Sequence, residues 1–218
     1  VPYRGTVARW VDFGILVIAG LVTNALLFFM LDASLLAAGT IRRCIEAMPM
    51  WPRAALERSA ETRASTETDR QALLTIKFIG MLTEHVGKLI YYPFIVVALL
   101  MLARSRYFDN WDFPMGLLLV FGMNLTYAVA GAFVLRAVAE QARQTAIERV
   151  RDQHIGVKDE KERVPDEAKQ IQNTIDEINK NQEGAFASFL YQPAFGASLI
   201  PTSGITLFAF LEYFVPGK

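Results

Sequence analysis

The chain has 218 residues, 53% of them hydrophobic and 20% charged, with a mean hydropathy of +0.27, which is more apolar than an ordinary soluble domain. Its 22 basic and 22 acidic residues cancel, removing the basic excess that a nucleic-acid binder needs to neutralise phosphates. Cys44 is the only cysteine, which excludes an internal disulfide and a thiolate metal cluster.

In chain order, Val1 to Arg9 is polar, and Val11 to Ala38 is then nearly unbroken apolar sequence, longer than the about 20 residues that cross a hydrocarbon core. No basic, apolar, small-residue leader pattern precedes it, the run is too long for a signal peptide, and the chain starts on Val1, so we expect a piece of a longer protein. The helix is predicted to continue through Ile41 to Met48 and to stop at Pro49 and Pro52. Pro52 opens a short helix, Arg53 to Ser59, and the Ser/Thr/Glu-rich stretch Ser59 to Thr68 reads as a connector. From Glu67, Leu73, Ile76, Ile79, Leu82, Val86 and Leu89 recur at three- and four-residue steps, an amphipathic helix with Lys77 and Glu84 off the stripe. At Leu89 the stripe widens into LIYYPFIVVALLMLA, a second span over 89–104, with a kink expected at Gly87 and Pro93 and interfacial residue types at Lys88, Tyr91 and Tyr92.

Arg104 to Pro114 reads as a turn at the membrane surface. Within it, Trp111-Asp112-Phe113-Pro114 resembles the pore turn of calcium uniporters, which carries an acid where this chain has Phe113. The resemblance covers these few residues and brings no family site with it. A third span, 115–136, runs straight on as an Ala-rich charged helix to Gln153, and the Gly156-containing segment His154 to Val164 forms a solvated tip. Pro165, Asp166 and Glu167 open another helix. There Ala168, Ile171, Ile175, Ile178, Gln182, Ala185 and Phe189 step alternately by three and four, a heptad-like seam short enough to favour bundle packing over a free-standing zipper. The last span, 195–215, is interrupted by Pro201-Thr202-Ser203-Gly204, which leaves a broken or re-entrant helix open.

The expected fold is an all-α integral membrane protein, a single membrane domain over 1–218. It has four transmembrane helices, at 11–38, 89–104, 115–136 and 195–215. Three of them continue into a helical-bundle, coiled-coil-like stalk at 40–88 and 137–190. Of the 22 basic residues, 17 lie in the two long connections, and Arg42, Arg43, Lys88 and Arg136 stand at span ends. The positive-inside rule therefore puts both connections in the cytoplasm and the Arg104 to Pro114 turn outside, in a bacterial-type inner (plasma) membrane.

Polar residues inside spans are functional candidates by default. Asn24 and Asn124 fall midway along two spans of the same direction, where they could share a depth and hydrogen-bond. Asp32 lies within reach of Lys88 or Arg136, and Glu212 within reach of Arg104 or Arg106. His85 and His154 are isolated, and the sequence holds no HExxH, Gly-rich phosphate loop or nucleophile elbow. No enzyme activity, cofactor or metal is expected. The leading expectation is a membrane anchoring and assembly module, with the bilayer and a second copy or a membrane-complex protein as partners, using the seam Ala168, Ile171, Ile175 and Ile178. The alternatives are an oligomeric ion channel or transporter lined by the polar residues, and a transducer relaying an upstream domain.

Overall fold

The computed structural model of the chain describes residues 5–47, 49–58, 66–103, 115–155, 165–188, 193 and 195–201. All of its regular structure among these is helical: α1 (Thr6–Glu46), α2 (Arg53–Arg58), α3 (Glu67–Leu89), α4 (Tyr91–Ala103), α5 (Met115–Ile155), α6 (Pro165–Lys180) and a single 3-10 turn, Gly184–Phe186. Residues 195–201 are also helical. Three stretches are long and apolar enough to cross a membrane: Phe13–Glu46, Glu67–Leu102 and Leu119–Asp152. Among the described residues the protein is therefore all-helical, with three helices that could cross a membrane, consistent with a multi-pass membrane protein. The rest of the expected fourth span, 202–215, the turn at 104–114 and the tip at 156–164 lie outside the described residues.

Each boundary has a local cause. α1 begins five residues earlier than the apolar run and ends at Glu46, before Pro49, with the Ala47 N–H still bonded to the Arg43 carbonyl at 2.9 Å. Thr66 caps α3: its Oγ1 accepts from the Asp69 N–H at 3.3 Å, and Glu67 and Asp69 oppose the helix dipole in the first turn. α3 and α4 would be one helix but for a break at Ile90. Pro93 explains it, because proline has no N–H to give the Leu89 carbonyl and its ring crowds that carbonyl.

The chain divides into two compact units. The first comprises Val1–Ala33, Lys88–Gly131 and Phe189–Lys218. Its interior is assembled from Leu27 and Met30 of α1, Phe94, Val97 and Met101 of α4, Asn124 and Ala128 of α5, and Ala197. Phe94 meets Phe121 edge-on with ring centroids 6.0 Å apart, and Val97 and Met101 pack with Leu100, Val120 and Phe121. Gly196 admits the Tyr91 hydroxyl, which would stand 2.9 Å from a Cβ at that position. α1 buries only a narrow stripe at three- and four-residue steps, Thr23, Leu27 and Met30; Leu26 and Leu31 are half-buried, and Ile18, Leu21, Phe28 and Phe29 are exposed.

The second unit comprises Ser34–Gly87 and Ala132–Ser188. Every helix in it turns apolar side chains inward: Ile41 from α1, Leu56 from α2, Ile76 and Ile79 from α3, Val138 and Val150 from α5, and Ile175 and Ile178 from α6. Ala132, Ala139, Ala142 and Ala146 line the buried face of α5 and leave room for neighbouring backbones to come close. The segment before α2 is tied to α3 by Trp51, whose indole N–H donates to Thr75 Oγ1 at 3.0 Å and whose ring meets Phe78 edge-on at 5.6 Å. An Arg149 N–H donates to the Ile45 carbonyl, satisfying one of the orphan acceptors at the end of α1.

Two expectations need correction here. The buried line of α3 is Ala72, Ile76, Ile79, Gly80, Thr83, Val86 and Gly87, whereas Leu73, Leu82 and Leu89 are only partly covered. Ile76, Ile79 and Val86 of the expected stripe are buried, and Ala72, Gly80, Thr83 and Gly87, not the three leucines, complete the buried line. The heptad-like spacing also stops being helical after Ile178, since α6 ends at Lys180, Gln182 is exposed and Ala185 is buried in the 3-10 turn. Phe189 lies outside the described residues.

Candidate functional site

The mid-span polar residues are separated by the way their helices pack. α1 is held by the Thr23, Leu27 and Met30 stripe, and Asn24, one residue on, stands ~100° around the helix from Thr23. It is exposed, and its Nδ2 donates to the Gly20 carbonyl at 2.8 Å in its own helix. Asn124 is fully enclosed, and neither its Nδ2 nor its Oδ1 has a hydrogen-bond partner. The expected bond between the two asparagines is therefore not formed. Thr23, also buried, returns its hydroxyl to the Ala19 carbonyl at 2.8 Å. Asp32 is exposed and forms no ion pair among the described residues, so the pairing expected for it is absent. Glu212 lies outside the described residues.

Of the seam residues, Ile175 and Ile178 are buried and Ile171 is half-buried, while the side chain of Ala168 lies outside the described residues. The more elaborate contact in the second unit comes just after α6, at residues the spacing argument did not single out. Gly184 adopts φ +58, the left-handed region in which glycine is free and other residues are strained. A Cβ there would fall 2.3 Å from the Gly80 carbonyl oxygen and 2.3 Å from Thr83 Oγ1, so two glycine backbones meet directly. The Ala185 N–H donates to Thr83 Oγ1 at 2.9 Å, and that hydroxyl in turn donates back to the Ile79 carbonyl at 2.8 Å. From α5, the Arg143 guanidinium donates to the Asn181 carbonyl and lies over the Phe186 ring, 4.2 Å from its centroid. Glu140 Oε2 is 3.5 Å from Arg143 Nη1, and Arg143 Nε is left without a partner.

This junction was partly legible. Gly184 falls within the seam expected to run on to Phe189, and a glycine inside a helical pattern is a local signal that the pattern loosens there. Arg143 belongs to the Ala-rich charged part of α5, where its residue type alone does not set it apart. Its neighbours Ala139, Ala142 and Ala146 mark the side of α5 that faces the interior, and that is the signal that could have found it.

No group of three or more His, Cys, Asp or Glu side chains that could hold a metal ion occurs among the described residues. His85 is exposed, with Nδ1 2.8 Å from the Met81 carbonyl of its own helix. Comparisons with protein families, curated proteins and solved structures return no match. The described arrangement consists of apolar helix surfaces of bilayer length and a helical unit whose interior includes the Gly80, Thr83, Arg143 and Gly184 junction.

Proposed function

We propose that the chain is a polytopic membrane anchoring and assembly module, with a cytoplasmic helical stalk that meets a second copy or a partner protein, in a bacterial-type inner membrane. The observation that carries this reading is the contrast in exposed side chains along single helices. On α5, Leu119, Met123, Tyr127, Phe133 and Val134 are exposed, and further along the same helix the exposed described residues are Ala137 and the polar or charged Arg136, Glu140, Gln141, Gln144, Glu148, Arg151 and Asp152. Lipid suits the first set and water the second.

The apolar stretches of α1, α4 and α5 are bounded by charge at Asp32, Lys88 and Arg136. That pattern supports a hydrocarbon edge near these positions. It makes Asp32 an interfacial carboxylate and not an intramembrane one, in keeping with its exposure. The last span is assigned to 195–215 on the same reading. Because Ile175 and Ile178 are used up inside the chain, the stalk meets partners through its polar outer face and not through an apolar zipper.

A channel would need the polar residues of several spans to face one water path. Asn24 is exposed and Asn124 enclosed, so the two do not line a common path within one chain.

Single cysteines introduced in a Cys44→Ser background test the topology. Lys77→Cys and Arg151→Cys are expected to react with a membrane-impermeant thiol reagent only from the cytoplasmic side, and Gly5→Cys only from the outside. Reaction of all three from one side would end the reading.

A further inference from the structure

Asn24 sits where a polar side chain is hardest to accommodate. Between Asp12 and Asp32, α1 carries no charge from Phe13 to Leu31. That segment is ~28 Å long, about the thickness of a hydrocarbon core, and Asn24 lies ~3 Å from its midpoint. The amide is exposed, and its one hydrogen bond to the Gly20 carbonyl leaves its second N–H and its Oδ1 acceptor open. Phe13, Val17 and Phe28 on the same flank are exposed, and a Cβ added to Gly20 would meet nothing within 4 Å. A notch therefore lies one turn from the amide. Lipid tails can fill the notch but cannot bond the amide.

We propose that this flank of α1 is a self-association surface, on which a second copy of the chain packs across a two-fold axis with Asn24 against Asn24. Three features select a second copy as the occupant. An amide holds donor and acceptor in one group and so is its own complement, which an isologous contact requires. All copies insert with the same topology, so two α1 helices meet in parallel with their Asn24 side chains at one depth. Val17, Gly20, Asn24, Phe28 and Leu31 follow one another at steps of three, four, four and three, the spacing that keeps one helix face on another. The enclosed Asn124 is out of reach of a neighbour. This inference rests on α1 being a membrane span.

The test is oxidative cross-linking of the full chain in membranes, with single cysteines in the Cys44→Ser background. Val17→Cys and Phe28→Cys lie on the proposed face, whereas Val22 and Phe29, exposed as well, stand ~140–160° round the helix from Asn24. The first pair is expected to cross-link to a species of twice the chain mass and the second pair not. Asn24→Leu, which adds apolar surface inside the bilayer and does not threaten insertion, is expected to weaken the dimer ~3- to 20-fold, while Asn24→Gln retains it. Equal cross-linking at all four positions, an unaffected Asn24→Leu dimer, or an adduct with a different protein would overturn the proposal. An alkaline wash separates the two levels of failure. A chain that stays in the membrane but is monomeric refutes only the interface, whereas a chain that washes off refutes the membrane reading as well.

Discussion

Gly184 illustrates how much one missing carbon decides. Its backbone lies on that of Gly80, and its positive φ is closed to side-chain-bearing residues at low cost, so Gly184→Ala combines strain with a collision that neither backbone can relieve by a rotamer change. We expect a loss of about 3 kcal/mol or more, read as a lower thermal midpoint and as faster proteolysis near 181–188. Gly80→Ala should cost less, because its Cβ would meet Glu183 Cβ at 3.2 Å, a contact that a small shift relieves. Arg143 makes a second residue-scale test. Lysine is a point charge that cannot stack flat on Phe186 while donating to the Asn181 carbonyl, so Arg143→Lys should lose about 1–2 kcal/mol and show coupling to Phe186→Leu in a double-mutant cycle. Asn124 points the other way. An enclosed amide without a partner is a cost to the fold, so Asn124→Leu should leave the thermal midpoint unchanged or raise it by the equivalent of about 1 kcal/mol. A fall would reveal a bound polar partner.

Among the elements, α6 shows what a seam is for when it is short. Thr174, Ile175 and Ile178 are buried inside the chain's own bundle, so the seam orders the second unit and is not free to recruit another. Ile178→Asp would place an unpaired carboxylate in that interior at a cost of about 3–5 kcal/mol, enough to unfold a marginal unit. Ile171→Asp, at a half-buried position, should be tolerated far better. Circular dichroism and protease resistance of the two variants, compared side by side, check the ranking; equal effects would mean that the seam is not packed as described. α3 carries the converse lesson. A stripe of leucines at helical spacing marks a helix, yet the line it buries is set by where a neighbour needs close approach, and here Gly80 and Thr83 supply it.

At the scale of the whole molecule, α1 and α5 each have 41 residues and so run ~60 Å, about twice a hydrocarbon core. Each contributes to both compact units. A charge inserted in the apolar stretch of either should act on membrane retention, and one inserted beyond Asp32 or Arg136 should not. We expect Leu21→Arg to reduce the membrane-held fraction several-fold while Thr40→Arg leaves it unchanged, measured after alkaline extraction.

The sequence by itself determined the helical class, apolar stretches of bilayer length at α1, at α3 and α4, and at α5, the breaks at Pro49 and Pro52, and the kink at Pro93, whereas the Thr66 cap fell inside an expected connector. The features it determined follow from local rules: hydrophobic run length and the missing proline N–H. It left open which side of each helix is turned inward, because on a nearly all-apolar helix such as α1 the pattern around the axis carries little information. Asn24 and Asn124 are the same residue type near the middle of two long apolar runs, and nothing local tells them apart. Packing alone turned one outward and enclosed the other, and packing alone brought Arg143 to Phe186 and Gly184 to Gly80, pairs separated by some forty to a hundred residues of chain. Contacts of that range are chosen by the fit of whole helices against one another, and the single-residue chemistry that a sequence displays does not encode it.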